Sequence, residues 1–96
     1  MKFEWDPAKN EANIAKHGLD FAEAETLFEG GLHARKDSRK DYDEERWQGI
    51  GELNGRVVVV VWTDRPPARR RIISLRRANK RERIQHQAVK DRLGKS

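Results

Sequence analysis

Apolar residues in the middle of the chain fall into a pattern that predicts β-structure. Residues 57–61 are five valines, and Trp62 follows them. Val and Trp favour strands, and a run this short that is bounded by turn signals predicts a buried strand. The Asn54-Gly55 pair just before it is typical of a two-residue hairpin turn.

A second segment alternates with the period of a strand. In residues 45–53, Trp47 lies on one face, and Arg46 and Glu52 lie on the other. The glycines of this segment favour a bulge or the close approach of another backbone. A weaker alternation over residues 32–36 predicts a further strand.

The arginine-rich segment 69–77, beyond Pro66-Pro67, predicts the last strand. A regular strand would place Arg71 on the opposite face from Ser74, unless a bulge intervenes. Guanidinium groups fixed on one face of a strand form a surface that suits phosphate. Alternation predicts one face with Arg70, Ile72, Ser74 and Arg76, and the other with Ile73 and Leu75.

The N-terminal third carries helix signals. Residues 3–5 predict a very short strand or an extended anchor. Asp6-Pro7 predicts a helix start, and Gly18 predicts its end. Asp20 and Glu23 have the spacing of a capping box for a second helix. The two helices are expected over about residues 6–29.

The order of these elements predicts an α+β fold in a single domain, residues 1–96. We expect a small antiparallel β-sheet of about four strands over residues 32–77, with two N-terminal helices packed on one face. Asn79 is a possible cap for a C-terminal helix over about residues 79–93, whose thin apolar set predicts light docking on the sheet. The polar residues 37–43 predict a connection.

Composition excludes several classes of protein. The chain has 39% charged and 35% hydrophobic residues and no cysteine, so a disulfide framework and a thiolate metal site are excluded. Its three histidines lack metal-ligand spacing, so neither a metal nor another cofactor is expected. No apolar run approaches the length of a membrane span, which predicts a soluble, cytoplasmic protein.

Charge is divided unevenly along the chain. Residues 1–64 hold 9 Lys/Arg and 14 Asp/Glu, whereas residues 65–96 hold 12 Lys/Arg and 2 Asp/Glu. Net charges of −5 and +10 indicate an anionic partner, nucleic acid above all, for the C-terminal third. The alternative is a solvated face whose arginines pair with the acidic half of the chain. Arg46, Arg71 and Arg76 could each pair in this way with a carboxylate such as Glu45 or Glu52.

Three stretches together resemble the BrnT-type toxins of bacterial type II toxin–antitoxin systems: FEWDPAKNEANIAKHGLDFAEA, ERWQGIGELNGRVVVVVWTDR and RRIISLRRANKRER. The resemblance implies a fold similar to that of the RelE-like ribonucleases. It also implies RNA cleavage that inhibits translation and growth, and neutralisation by a ribbon-helix-helix antitoxin. The toxin–antitoxin complex would then bind operator DNA through the antitoxin and repress its own operon.

The resemblance also marks individual positions. The family usually has a tyrosine where His86 stands, so this position departs from the pattern. The positions that match the family pattern are Arg46, Thr63, Arg65, Arg71, Ser74, Arg76 and Glu82.

Metal-independent RNA cleavage requires a base, cations that stabilise the phosphate, and an acid. Arg46, Arg71 and Arg76 are the candidates for holding the phosphate, because arginine stays charged at any working pH. Glu52 would orient Arg46 or act as a base, and His86 would be the general base. Expected RNA-binding residues are Arg65, Arg70, Ser74, Arg77 and Lys80.

Two functions therefore remain open at this point. The first is an endoribonuclease toxin that acts on RNA, free or on the ribosome. The second is a non-catalytic basic module that binds nucleic acid or a protein partner, which the lack of an unambiguous general base favours.

Overall fold

The structure is a computed structural model that describes residues 1–38 and 43–94, so the predicted connection lies partly outside the described residues. None of the described helices is long and apolar enough to cross a membrane. The predicted α+β class is confirmed. In chain order, the elements are β1 (Lys2–Glu4), α1 (Pro7–His17), a 3₁₀ helix (Phe21–Glu23), α2 (Ala24–Glu29), β2 (Leu32–Lys36), β3 (Trp47–Leu53), β4 (Arg56–Arg65), β5 (Arg69–Arg77) and α3 (Lys80–Gly94).

The strands form one sheet in the order β1-β5-β4-β3-β2. The four strands β2 to β5 pair antiparallel, as predicted. The sheet is nevertheless mixed, because β1 joins as a fifth strand and pairs parallel to β5, with Phe3 opposite Arg70. Three residues are too few for their alternation to predict this pairing. A parallel pair also requires a long connection between its strands, and here the helices and strands β2 to β4 provide it.

Local capping chemistry places the helix ends where the sequence predicted them. The Asp6 carboxylate accepts the Ala8 N–H at 2.9 Å, and Gly18 ends α1 in the left-handed region with φ 70°. The Asp20 backbone N–H donates to Glu23 at 3.2 Å, which completes the predicted capping box. Asn54 and Gly55 both have positive φ, 52° and 78°, as a tight hairpin requires.

The core lies between the sheet and the two N-terminal helices. Gly51 permits the close approach, since a Cβ there would lie 2.9 Å from Leu27 Cδ1 and 3.2 Å from the Gly31 carbonyl oxygen. The predicted close approach of another backbone is found at Gly51, through the Gly31 carbonyl oxygen, whereas at Gly49 the close neighbours are the side chains of Leu32 and Trp62. The largest fully buried side chains are those of Phe21, Leu27, Ile72, Leu75, Val58, Val59 and Val60.

Asn13 ties α1 to β5 through buried hydrogen bonds. Its side chain donates to the carbonyl oxygens of Leu19 at 3.0 Å and Leu75 at 2.8 Å, and it accepts the Leu75 N–H at 3.3 Å. Asn13→Ala would leave these buried backbone groups unsatisfied, so we expect it to lower the free energy of unfolding by about 2–4 kcal/mol. Urea unfolding measures this, with the exposed Glu11→Ala on the same helix as control. Equal stability of both variants would contradict the assignment.

A bulge changes which arginines share a face of β5. Val61 pairs with Ser74, but Trp62 pairs with Ile72, so Ile73 is the extra residue. The prediction that Arg70 and Ile72 share the face of Ser74 and Arg76 is therefore wrong. The register shift instead puts Arg71, Ser74 and Arg76 on one face, and Arg70, Ile72 and Leu75 on the face that meets the N-terminal helices.

The third helix lies against the face opposite the core. Glu82 of α3 contacts Arg76, and His86 of α3 contacts Glu52. The side chains of Arg76 and Glu52 point away from the core, because the neighbouring residues of their strands face it. The outward-facing Ile84 is 59% exposed. The predicted light docking of α3 is confirmed. Polar contacts, rather than a packed apolar stripe, hold this helix on the sheet.

Candidate nucleic-acid interface

Three cationic and polar residues of β5 line up on what we call the basic face, the side of the sheet that carries Arg71, Ser74 and Arg76. Across the strand pair they lie opposite Thr63, Val61 and Val59 respectively. Because β4 is a central strand and its Val58–Val61 segment is buried, this row stands on a rigid framework. The bulge is what aligns it.

Arg76 is held in a fork by the helix that follows it. Its two terminal nitrogens bind the Glu82 carboxylate oxygens at 2.8 and 2.9 Å. Glu82 also accepts the Asn79 N–H at 2.9 Å, while Asn79 Oδ1 accepts the Glu82 N–H at 2.8 Å. The predicted cap at Asn79 is confirmed. The Arg76 hydrogen bond is the main cause that lowers the pKa of Glu82, so this carboxylate stays ionised.

Arg71 and Arg46 lie towards one end of the basic face. Arg71 contacts Glu4 at 3.4 Å across the β1–β5 pair, and Arg46 contacts Glu44 at 3.6 Å. The Thr63 hydroxyl donates to the Glu45 carbonyl oxygen at 2.7 Å and ties β4 to the segment that enters β3. Threonine at this position therefore positions the backbone next to Arg46.

Arg70 belongs to the other side of the sheet. Its guanidinium lies 4.6 Å from the centre of the Phe28 ring and 5.3 Å from that of Trp62, which is cation–π geometry. It also binds Asp64 in a fork at 2.7 and 3.1 Å. Arg70 thus covers the rim of the aromatic core.

The other predicted RNA-binding residues divide between the two faces. Arg77 is exposed, but it pairs with Val58, so its side chain leaves the strand on the face that carries the core. Arg65 contacts Glu44 at 3.3 Å near the Arg46 end. Lys80 is exposed at the start of α3. Only Ser74 of this predicted group lies in the Arg71–Arg76 row itself.

The side chain of His86 is buried between α3 and the sheet. It is 8% exposed, and Nε2 lies 3.2 Å from Glu52 Oε2. The Lys90 ammonium contacts the same oxygen at 2.7 Å. Hydrogen bonds from Lys90 and then from His86 are the chief causes that lower the pKa of Glu52. The suggestion that Glu52 orients Arg46 is wrong, because Glu52 instead contacts His86 and Lys90.

The five predicted catalytic residues do not form a single cluster. Arg46 and Glu52 are separated by six positions along a strand, or roughly 20 Å. Arg76 lies between the two ends, because its partner Val59 pairs with Ile50. The basic face is thus an elongated surface rather than a compact pocket.

Beside Arg76 there is a cavity of about 250 Å³, which we call the α3 hollow. Glu82 and His86 border it, and the His33 and His86 ring centres are 6.1 Å apart across its edge. The sequence analysis singled out Glu82 and His86 but missed Arg35, Gln48 and Gln85, although Gln48 lies two positions from Arg46 and therefore on the same face of β3. Further lining residues are Arg35, Gln48, Ile50, Val59, Gln85 and Val89.

The arginines of this region are balanced by internal carboxylates. The alternative that arginines of the C-terminal third pair with the acidic part of the chain is confirmed for Arg65, Arg70 and Arg71, and Arg46 likewise contacts Glu44. The partners are Glu44, Asp64 and Glu4; the predicted Glu45 and Glu52 instead contact Lys36, and His86 with Lys90. The side chains of these arginines and their partners are 21–48% exposed, and ion pairs at such positions contribute only about 0–1 kcal/mol. A phosphate backbone can therefore compete for these guanidinium groups. Within residues 1–38 and 43–94, no group of three His, Cys, Asp or Glu side chains is placed to hold a metal ion.

Comparison with known proteins identifies the family. Residues 5–82 match the family model described as the ribonuclease toxin BrnT of type II toxin–antitoxin systems. The crystal structure of the Brucella abortus ribonuclease toxin BrnT is similar, with a TM-score of 0.62 and 32% identity over 83% of this chain and 99% of that one. A search of curated proteins finds no match. The resemblance is thus confirmed, and this chain belongs to the BrnT family of ribonuclease toxins from type II toxin–antitoxin systems.

Proposed function

We propose that this protein cleaves RNA without a metal ion, and that RNA binds along the basic face. One observation carries the proposal: the β5 bulge brings Arg71 onto the face of Ser74 and Arg76, which produces a row of phosphate-binding groups on a rigid sheet. Guanidinium groups match phosphate oxygens and need no metal ion to supply positive charge. Membership of a ribonuclease toxin family supports RNA as the substrate.

The chemistry would use the 2′-hydroxyl as nucleophile. A base removes its proton, the 2′ oxygen attacks phosphorus, and the bond to the 5′ oxygen breaks as that oxygen gains a proton. Arg76 would stabilise the charge that grows on the scissile phosphate. Arg71 and Arg46 would bind phosphates farther along the same RNA strand. Arginine is not suited to be the base, because it remains protonated.

His86 is our candidate for that base. With the proton on Nε2 donated to the Glu52 carboxylate, Nδ1 would be left to accept a proton. Among the described residues Nδ1 is buried and has no hydrogen-bond partner, so α3 would have to admit the ribose to reach it. Glu52 then acts as the positioning residue for the imidazole. Lys90, at 2.7 Å from the same carboxylate, keeps it ionised and thus able to hold the ring.

Flanking residues would extend the RNA-binding surface. Arg65 and Lys80 lie at its two ends, and the Ser74 hydroxyl lies within the row. Arg70 and Arg77 are not part of the proposal, because their side chains start from the other face of the sheet. Contacts to several phosphates predict affinity that falls steeply with salt.

A type II toxin has a cognate antitoxin as partner. We propose that this antitoxin has a ribbon-helix-helix DNA-binding part, that the complex represses its own operon, and that both proteins act in the cytoplasm. An acidic antitoxin segment lying over the basic face would neutralise the toxin, because it would compete with RNA for the same guanidinium groups. A ternary toxin–antitoxin–RNA complex in gel filtration would contradict this model.

Purified protein incubated with RNA in excess EDTA tests the proposed activity. We expect discrete fragments, either with RNA alone or with messenger RNA on ribosomes, and we expect a molar excess of antitoxin to stop the cleavage. Fragments that carry a 2′,3′-cyclic phosphate would support attack by the 2′-hydroxyl. RNA that stays intact with and without ribosomes, or that is cut only when Mg²⁺ is added back, would overturn the proposal.

One observation favours a non-catalytic alternative. Glu52 and His86 lie far along the sheet from Arg46, so the candidate base and part of the cationic row are separated. A binding module would not need them together. Such a module would bind RNA in the same assay without producing fragments, and its expression would leave growth unchanged.

A further inference from the structure

We infer that the α3 hollow binds one unpaired nucleobase of the RNA whose phosphates lie on the basic face. This inference rests on the proposed function and adds a base-reading subsite to it. The hollow is formed by strands β2 to β4 below and by α3 above. It is separate from the arginine row but adjoins it.

The size of the hollow suits a single heterocycle. At about 250 Å³ it is smaller than the pockets that enclose drug-sized ligands, which begin at about 300 Å³. Val59 of β4 is fully buried, and Ile50 and Val89 are half-buried along the same cavity. These side chains provide an apolar surface against which the face of a base can pack.

The rim of the hollow provides groups that recognise base edges. Gln48 and Gln85 each present an amide with a donor and an acceptor, the pair of functions that a Watson–Crick edge requires. Arg35 adds a donor, and Glu82 adds an acceptor. Arg35 also lies close enough to contribute to the lowered pKa of Glu82, so the two charges face the same space.

The position of the hollow fits a nucleotide held by the basic face. Glu82 is shared by both regions, because it borders the hollow and binds Arg76 in a fork. A phosphate on Arg76 would therefore place its own or the next base beside the opening. Arg76 and Glu82 also hold the first turn of α3 at this opening, which fixes the height of the cavity.

Equilibrium binding of 2′-O-methyl oligonucleotides tests the inference, because they lack the nucleophile and are not cut. An abasic position in place of each nucleotide in turn removes one base and keeps every phosphate. For the unmodified protein we expect one abasic position to weaken binding by about tenfold at fixed salt, the effect of losing one stacked base. Val89→Trp fills the hollow and should remove this difference, whereas Ile84→Trp on the exposed side of α3 should retain it.

A milder variant covers the possibility that Val89→Trp fails to fold. Gln85→Ala keeps the helix surface and should change the preference among the four bases at that one position. Equal affinity for intact and all singly abasic oligonucleotides, alongside RNA cleavage by the unmodified protein, would overturn the subsite and leave the ribonuclease proposal standing. No binding and no cleavage would overturn both. Val89→Trp could instead weaken antitoxin binding and leave unchanged the difference in affinity between intact and abasic oligonucleotides. That result would assign the hollow to the antitoxin and overturn the inference.

Discussion

Replacement of Arg76 by alanine is expected to lower kcat for RNA cleavage by about 10²–10³-fold, the cost of removing one preorganised group that stabilises developing negative charge. Arg76 has the best-defined geometry of the row, since Glu82 and the β5 backbone fix its guanidinium. Rates measured on RNA in EDTA, at saturating substrate, check the effect. Arg76→Lys keeps the charge but loses the two-pronged guanidinium contact, so we expect its kcat to lie between those of the unmodified protein and Arg76→Ala.

Arg56→Ala is the matched control, because it removes one exposed positive charge at the hairpin end of β4. We expect it to change the salt dependence of binding only slightly and to leave kcat unaltered. A folded Arg76→Ala protein that cleaves RNA at the rate of the unmodified protein would rule out its assigned role. An equal loss in both variants would mean that net charge, rather than this side chain, supports cleavage.

The effect of Arg76→Ala on stability should be small by comparison. Both partners of the Arg76–Glu82 pair are 21–29% exposed, so we expect a loss of about 1 kcal/mol in the free energy of unfolding. The pKa of Glu82 is lower in the folded protein, so the contribution of this pair is present above the ordinary pKa of glutamate. It is lost as the pH falls through the lowered value. Acid unfolding of the variant should lack that component.

Replacement of His86 by glutamine is expected to lower kcat for RNA cleavage by about 10²-fold, because an amide cannot take the proton from the 2′-hydroxyl. Glutamine can still bond to Glu52 and fill the space, which preserves the packing of α3. Affinity for 2′-O-methyl RNA should therefore stay within about twofold, since the substitution removes no phosphate contact.

Binding and stability measurements separate catalysis from a purely structural role. A variant that loses affinity for 2′-O-methyl RNA together with its rate, and whose α3 is destabilised, would make His86 an anchor of the helix rather than the base. His86→Tyr replaces the imidazole by a phenol. Because tyrosine has a pKa near 10, we expect the activity of this variant to rise only at higher pH.

Several predictions from the sequence succeeded because they depend on interactions within a few residues. Asp6 marks the start of the first helix and Gly18 its end, through hydrogen bonds to groups two and four residues away. The Asn54-Gly55 turn depends on backbone conformations that these two residues adopt readily. The valine run forms a strand because both of its faces are buried, whereas Trp47–Leu53 follows the alternation of a strand with one buried face.

The failures concern pairing between distant parts of the chain. Strict alternation in β5 gave the wrong face to Arg70, because the partner strand decides where an extra residue is accommodated. Glu52 was matched with Arg46 because both lie on one face of β3, but a helix thirty residues later supplies its true partners. The parallel edge strand β1 was missed as a strand of the sheet for the same reason.

The sequence by itself determined the α+β class, the helix caps, the main hairpin, the cationic character of the last strand and the family resemblance. These properties reside in local hydrogen bonding, in the period of apolar residues and in residue identity. Only the tertiary structure decided that Arg71 joins Ser74 and Arg76, that Glu4 pairs with Arg71 and Glu82 with Arg76, and that α3 covers a hollow beside them. The physical reason is that register, ion-pair choice and helix docking depend on which remote groups meet when the chain folds, and spacing along one strand does not contain that information.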